Sequence, residues 1–92
     1  MKAVVVHGAD DLRIDERPDP VPGPGEVLVA MEWGGICGSD LHLSEIADTA
    51  GGMTPLPAGT VMGHEFAGQV AAVGRAVAGR FAVGDRVTAL PF

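Results

Sequence analysis

Two short runs open the chain, one wholly apolar and one that alternates between apolar and polar residues, and both patterns are typical of β-strands. Ala3 to Val6 is a compact apolar run, and Leu12 to Asp15 alternates as a half-buried strand does. The segment between them, His7 to Asp11, is rich in turn-forming residues. We therefore predict that the two strands pair as a hairpin.

A proline-rich connector separates this hairpin from the next apolar run. Proline has no backbone N–H and cannot continue a strand ladder, so Pro18 to Gly25 is predicted to be a rigid link outside any sheet. A further strand is predicted from Glu26 to Trp33. The pair Gly34 and Gly35 is predicted to stop it.

A helical pattern replaces the strand pattern from Ser39 to about Ala47, where the Ser39 hydroxyl can cap the first turn by accepting a backbone N–H. The following stretch, Asp48 to Thr60, is rich in glycine, proline and small residues and is predicted to be a loop. Apolar contacts of the helix are expected from Leu41, Leu43 and Ile46.

The last third of the chain again favours strands. Val61 to Val73 is predicted to be a turn followed by a strand that Gly74 ends, and Arg75 to Val83 an irregular link. Gly84 and Asp85 form a predicted turn before a final strand from Arg86 to Leu90. No segment repeats at a fixed period and no boundary divides the chain, so we expect one mainly β domain over residues 1–92.

Composition and charge narrow the possible functions. Apolar residues make 47% of the 92 residues, enough for a small core, while 14 glycines and 7 prolines stay short of a low-complexity composition. The formal charge of −6 argues against nucleic acid as a partner, because phosphates attract a surplus of lysine and arginine. A single cysteine forms no internal disulfide, and no leader or long apolar span occurs, so we expect a reducing cytoplasm.

Three residues of metal-binding type stand out: Cys37, His64 and Glu65. Zinc accepts sulfur, nitrogen and oxygen donors, and a catalytic zinc site combines three protein ligands with an open fourth position. A mixed set of this kind fits a catalytic site better than an all-thiolate structural one. A zinc-peptidase helix would need a second histidine four residues after His64. Because that residue is Gly68, the sequence excludes a zinc-peptidase motif here.

Motifs in fixed order along the whole chain carry a resemblance to a known family. The chain resembles the zinc-dependent medium-chain alcohol and polyol dehydrogenases, and the sequence of its motifs is most similar to the polyol branch that includes sorbitol and L-idonate dehydrogenases. The segments that carry the resemblance are Met1-Lys2-Ala3-Val4-Val5, Pro22-Gly23-Pro24-Gly25-Glu26-Val27-Leu28-Val29, Gly34-Gly35-Ile36-Cys37-Gly38-Ser39-Asp40, Gly63-His64-Glu65-Phe66-Ala67-Gly68 and Val83-Gly84-Asp85-Arg86-Val87.

The resemblance implies a fold and a domain context. It implies a partly open GroES-like β-barrel with one short helix, forming the N-terminal part of a catalytic domain. Family members are several times longer and add a dinucleotide-binding domain, so we expect the 92 residues to be a fragment that is inactive alone. The sequence contains no Gly-x-Gly-x-x-Gly motif for a pyrophosphate, in keeping with the absence of that domain.

Roles for individual residues also come from the resemblance. Cys37 and His64 correspond to zinc ligands. Glu65 corresponds to a carboxylate that either binds zinc directly or lies behind another zinc ligand, which a later segment supplies. Asp40 resembles an outer carboxylate that fixes the ligand histidine, although an acid in a first helical turn has a purely structural explanation as well. Ser39 resembles the hydroxyl that passes a proton from the zinc-bound alkoxide toward solvent, and His42 resembles the next member of that relay.

Cys37 before the predicted helix would meet the positive end of its dipole, which favours the thiolate that zinc requires. Trp33 is predicted to lie in the core, although it stands close to Cys37 in sequence. His7 is expected to be an exposed strand-end histidine without a role.

The implied reaction is hydride transfer from a secondary alcohol or polyol to NAD or NADP, with zinc polarising the substrate hydroxyl and the proton leaving through Ser39 and His42. Two alternatives stay open: a non-enzymatic GroES-like module and a zinc-free relative similar to quinone reductases. We also expect homo-oligomers or self-association through exposed strand edges.

Overall fold

The structure of the chain is a computed structural model that describes residues 1–45 and 56–90. Its residues divide into two compact units, each built from two separate stretches: Met1–Pro18 with Ile36–Gly63, and Asp19–Gly35 with His64–Phe92. Because the units alternate along the chain, no single point in the sequence separates them, and composition carries no signal of a boundary.

The first unit begins with the predicted hairpin. Strand β1 (Lys2–Gly8) pairs antiparallel with β2 (Asp11–Glu16), and both strands are longer than the predicted runs. The register shifts between Val6 and Gly8, next to a tight turn in which Asp10 adopts a φ of 56°. Aspartate tolerates this left-handed conformation better than most residues, so the turn chemistry fits the sequence.

The opposite edge of β1 is covered by the segment around Thr60, which no pattern in the sequence predicts to lie there. The Val6 N–H donates to the Thr60 carbonyl at 2.9 Å, and the Met62 N–H donates to the Val4 carbonyl at 2.9 Å. With pairing on both edges, β1 supplies the buried hydrophobic side chains among the described residues of this unit, which are Ala3, Val5 and Val6.

The first unit also contains helix α1 (Gly38–Glu45), the single helix among the described residues. The structure confirms a short helix in the predicted region, but it begins at Gly38 rather than after Ser39. Leu43 is half-buried, whereas Leu41 is exposed. The predicted contribution of Ile46 and most of the predicted loop, up to position 55, lie outside the described residues. No described helix is long and apolar enough to cross a membrane.

The second unit is a three-stranded antiparallel sheet. Strand β3 (Val27–Gly35) pairs with β4 (Glu65–Val73), which pairs on its other side with β5 (Arg86–Thr88). The predicted stop at Gly34 and Gly35 is wrong, because β3 continues through both glycines, opposite Phe66 and Glu65. The last strand ends at Thr88, two residues before the predicted Leu90.

The middle strand of this sheet supplies its packed interior. Val70 on β4 is 1% exposed. Gly68, also buried, lies so close to β3 that a Cβ there would run into the Ala30 carbonyl. Gly74 directly follows β4, and a Cβ at this position would collide with the carbonyl oxygens of Gly23 and Pro24. The close approach of β4 to β3 therefore depends on Gly68, and the approach of the residue after β4 to the segment before β3 depends on Gly74.

The prediction of a mainly β chain with one short helix is confirmed. Strands of the described residues form two separate sheets, ordered β1-β2 and β3-β4-β5, and not one closed barrel.

Candidate metal and proton-transfer residues

Cys37 stands directly before α1, and the first turn of the helix holds its backbone from both sides. The Asp40 N–H donates to the Cys37 carbonyl at 3.0 Å, and the Cys37 N–H donates to Asp40 Oδ2 at 2.9 Å. This is half of a capping box, in which an acid at the third helical position reaches back to the N-cap N–H. The predicted cap, Ser39, is wrong, because Ser39 lies inside the helix and Asp40 makes the capping contact.

The helix therefore positions the thiol-bearing residue in two ways. Cys37 is half-buried and lies at the positive end of the α1 dipole, where a thiolate is stabilised. Two further candidate residues, Ser39 and His42, follow on the same helix and are both exposed. Residues three apart on a helix are neighbours on its surface, so the hydroxyl and the imidazole can lie side by side.

His64 and Glu65 mark the beginning of β4 in the second unit. The preceding residue, Gly63, adopts a φ of 114°, a left-handed conformation that favours glycine and turns the chain into the strand. His64 is half-buried, and Glu65 is exposed and pairs with Gly35 of β3. An ideal Cβ built on Gly35 would lie 2.5 Å from Glu65 Oε2, so the carboxylate lies over this glycine.

A groove of about 410 Å³ in the second unit includes both residues in its lining. Trp33, Gly35, Glu65, Ala67 and Thr88 line it from one face of the sheet, because they occupy paired or alternate positions of β3, β4 and β5. The prediction that Trp33 lies in the core is wrong, since 75% of its surface is exposed. Its neighbours Gly34, Gly35 and Ala67 are too small to cover the indole ring.

Charged contacts elsewhere in the described residues concentrate on the hairpin of the first unit. Arg13 donates to both carboxylate oxygens of Asp11, at 3.0 and 2.9 Å, and this hydrogen bonding holds the pKa of Asp11 below its ordinary value of 3.8. His7 lies 2.7 Å from Asp15 across the two strands. These contacts account for His7 structurally, and His7 is exposed, as the sequence predicted.

Each unit thus holds part of the predicted site. Cys37, Ser39, Asp40 and His42 lie in the first unit, around the start of α1, and His64 and Glu65 lie in the second, at one end of β4. Sulfur, imidazole nitrogen and carboxylate oxygen form a donor set that suits zinc and is unlike the all-oxygen sets of calcium and magnesium. The sharing of one ion by these residues stays a prediction.

Sequence reasoning missed two features that bear on these residues. Trp33 lines the groove instead of the core, and Gly35 is the residue on which the Glu65 carboxylate lies. The second could have been suspected from the consecutive glycines, since a glycine inside a strand often marks a close approach of another group.

A family model described as the alcohol dehydrogenase GroES-like domain matches residues 23–92. The chain belongs to this family. Sorbitol dehydrogenase of Halalkalibacterium halodurans is 41% identical to it over 90 residues, which are 96% of this chain and 24% of the relative. The resemblance to zinc-type alcohol and polyol dehydrogenases is therefore confirmed.

Solved structures of alcohol dehydrogenases also resemble the chain. Alcohol dehydrogenase TADH from Thermus sp. ATN1 matches with a TM-score of 0.80 and 39% identity, over 96% of this chain and 24% of that one. The cobalt- and zinc-bound thermostable alcohol dehydrogenase from Pyrobaculum aerophilum matches with a TM-score of 0.76 and 30% identity, over 96% and 26%. The chain spans about a quarter of the length of the curated relatives it matches.

Proposed function

We propose that residues 1–92 form the N-terminal part of the catalytic domain of a zinc-dependent, NAD(P)-linked dehydrogenase acting on a secondary alcohol or polyol. Membership of the alcohol dehydrogenase GroES-like family supports the reaction class. The name of one relative, sorbitol dehydrogenase, supports a polyol as substrate. The small-molecule substrate and the nicotinamide are the partners that this proposal requires.

Cys37, His64 and Glu65 are the residues that would hold the zinc ion. Their donor chemistry supports this, and the dipole of α1 favours the charged form of Cys37 that a metal needs. When bound, zinc supplies Lewis-acid polarisation that makes a substrate hydroxyl easier to deprotonate. Glu65 acts in the proposal either as a third ligand or as a carboxylate close behind the metal.

Ser39 and His42 are proposed to carry the proton away from the substrate hydroxyl. Their spacing on α1 supports a handover from the Ser39 hydroxyl to the imidazole, because positions three apart are neighbours on the helix surface. Both residues are exposed, so a proton that reaches His42 can pass on to solvent. Each group would accept one proton and release another, so neither is consumed.

Asp40 is proposed to orient metal ligands. Its contact with the Cys37 N–H ties the carboxylate to the residue that carries the thiol. Outer carboxylates of this kind commonly account for about a ten- to hundredfold difference in metal affinity. The nicotinamide is proposed to bind outside these residues, because the sequence has no glycine-rich phosphate-binding motif.

The observation that carries the proposal is Cys37 at a helix N-terminus, with its backbone N–H bound by the Asp40 carboxylate, in a chain of this family. Zinc content and affinity of the purified chain, measured by metal analysis and calorimetry, test it. We expect one zinc per chain, lost in Cys37→Ser and His64→Ala, and weakened about ten- to hundredfold in Asp40→Asn.

His7→Ala is the matched control, since His7 is a histidine that contacts Asp15 and has no part in the proposed site. It should bind zinc as the unaltered chain does. A chain that binds no zinc, or Cys37→Ser with unchanged affinity, would refute the proposed site and favour a non-enzymatic module.

A further inference from the structure

The contact between Gly35 and Glu65 is closer than strand pairing ordinarily allows. Directly opposed residues of an antiparallel pair have Cβ atoms about 4.5–5.5 Å apart. An ideal Cβ on Gly35 would lie 3.1 Å from the Glu65 Cβ and 2.5 Å from its Oε2. The separation of the two Cβ atoms would be shorter than the ordinary one, and the distance from the Gly35 Cβ to Oε2 would be shorter than van der Waals contact. Only glycine leaves the carboxylate its observed place.

The neighbouring glycine has no such constraint. A Cβ on Gly34 would meet the terminal methyl of Met31 at 3.3 Å and the Glu65 backbone oxygen at 3.9 Å. Methionine is unbranched and flexible, so its methyl end can move aside at small cost. Neither glycine has a left-handed φ, so the backbone accepts alanine at both positions. The two positions therefore differ in what a new methyl group would meet, which is the Glu65 side chain at position 35 and the movable end of Met31 at position 34.

We propose that Gly35 is a positioning residue for the Glu65 carboxylate. The inference rests on the proposed zinc site, to which it adds the reason why β3 carries a glycine at this position. A methyl group at position 35 would displace Oε2 from its place over β3, in the groove that His64 also lines. The displaced carboxylate would no longer serve the metal, whether it binds directly or from behind another ligand.

Zinc affinity of Gly35→Ala, measured by competition with a chelator, tests this directly. We expect about a tenfold or larger loss, the range found when a group that supports a metal site is removed. Gly34→Ala is the matched control, because it makes the same chemical change one residue away on the same strand. Its zinc affinity should stay within about twofold of the unaltered chain, because only the flexible methyl end of Met31 has to move.

A double-mutant cycle separates the carboxylate from a general effect on strand spacing. In a Glu65→Ala background the carboxylate is gone but the Cβ of residue 65 is retained, so the crowding between strands persists. Gly35→Ala should then cause no further loss of zinc affinity. A second readout is the visible absorption of bound Co²⁺, which reports the ligands around the ion and which we expect Gly35→Ala to change and Gly34→Ala to leave alone.

The possible results lead to different conclusions. Equal affinities for Gly35→Ala, Gly34→Ala and the unaltered chain would overturn this inference and leave the zinc site standing. An undiminished effect of Gly35→Ala in the Glu65→Ala background would also overturn it, because the effect would then arise from strand spacing. A chain that binds no zinc would remove the proposed site and this inference together.

Discussion

Replacing Gly68 with alanine should destabilise the three-stranded sheet more than any ordinary glycine-to-alanine change. Gly68 lies on the middle strand, opposite Met31 on one side and Val87 on the other. A Cβ there would collide with the Ala30 carbonyl oxygen and come within 3.0 Å of its carbon and of the Met31 Cα. These are backbone atoms, so no side-chain rotation relieves the collision.

The magnitude follows from what must move. Overpacking a filled interior costs about 1–3 kcal/mol, and pulling β3 away from β4 also lengthens ladder hydrogen bonds whose net contribution is about 0.5–1.5 kcal/mol each. Alanine returns about 0.4–1 kcal/mol by restricting the unfolded chain. We therefore expect a loss of about 2–3 kcal/mol, a large share of the total of about 5–14 kcal/mol typical for a domain of this length.

Urea unfolding followed by far-ultraviolet circular dichroism measures this change. The fluorescence of Trp33 would be a poor probe, because the ring is already 75% exposed in the folded chain. Gly79→Ala is the matched control, since a Cβ at Gly79 meets nothing within 4 Å and its φ is not left-handed. It should stabilise by about 0.4–1 kcal/mol. Equal unfolding midpoints for the two variants would refute the packing argument.

Two further predictions concern charge and association. Arg13→Gln should raise the pKa of Asp11 back toward 3.8 in an NMR titration. The lowered pKa contributes stability that is present above pH 3.8 and is lost as pH falls through the lowered pKa, so Arg13→Gln should remove this contribution. An unchanged Asp11 titration would contradict the assignment of its pKa to Arg13. Because β2, β3 and β5 lie at sheet edges of the described chain, light scattering should detect self-association as concentration rises, whereas a strict monomer at millimolar protein would count against it.

The elements that sequence predicted well are those whose pattern is local. An apolar run in β1, alternation in β2 and a turn between them predict the hairpin, and a run of strand-forming residues ended by Gly74 predicts β4. Each of these elements is specified by its own residues together with those just beside it. Periodicity was therefore enough, and only the ends of the strands were displaced by one or two residues.

The features that sequence missed depend on partners distant in the chain. Gly34 and Gly35 resemble a strand stop when read locally, yet β3 continues through them because β4 supplies its pairing. The segment around Thr60 contains no strand pattern, but it donates and accepts hydrogen bonds along β1. Trp33 is apolar enough for a core, but its neighbours are small: Gly34 and Gly35 on its own strand and Ala67 opposite it on β4.

The start of α1 shows why the candidate site was only partly predictable. Two polar residues, Ser39 and Asp40, both suit the first turn of a helix, and a shift of one residue in the helix start decides which of them makes the cap. The structure begins the helix at Gly38, so the carboxylate of Asp40 rather than the hydroxyl of Ser39 reaches the Cys37 N–H. The hydroxyl is thereby left without the capping task that competed with its proposed role in proton transfer.

The structural and metal-related explanations of Asp40 are consequently compatible. A carboxylate has about four acceptor positions, and the bond to the Cys37 N–H uses one of them. In the proposed site the same group would fix the backbone of the residue that bears the thiol and also accept a hydrogen bond from a ligand histidine, because one carboxylate can accept several hydrogen bonds. Asp40→Asn distinguishes the two tasks, because asparagine retains an oxygen for the Cys37 N–H but carries no charge. If capping were the only task, the variant would bind zinc as the unaltered chain does; a loss of affinity with an unchanged helix would show that the charge of Asp40 serves the metal.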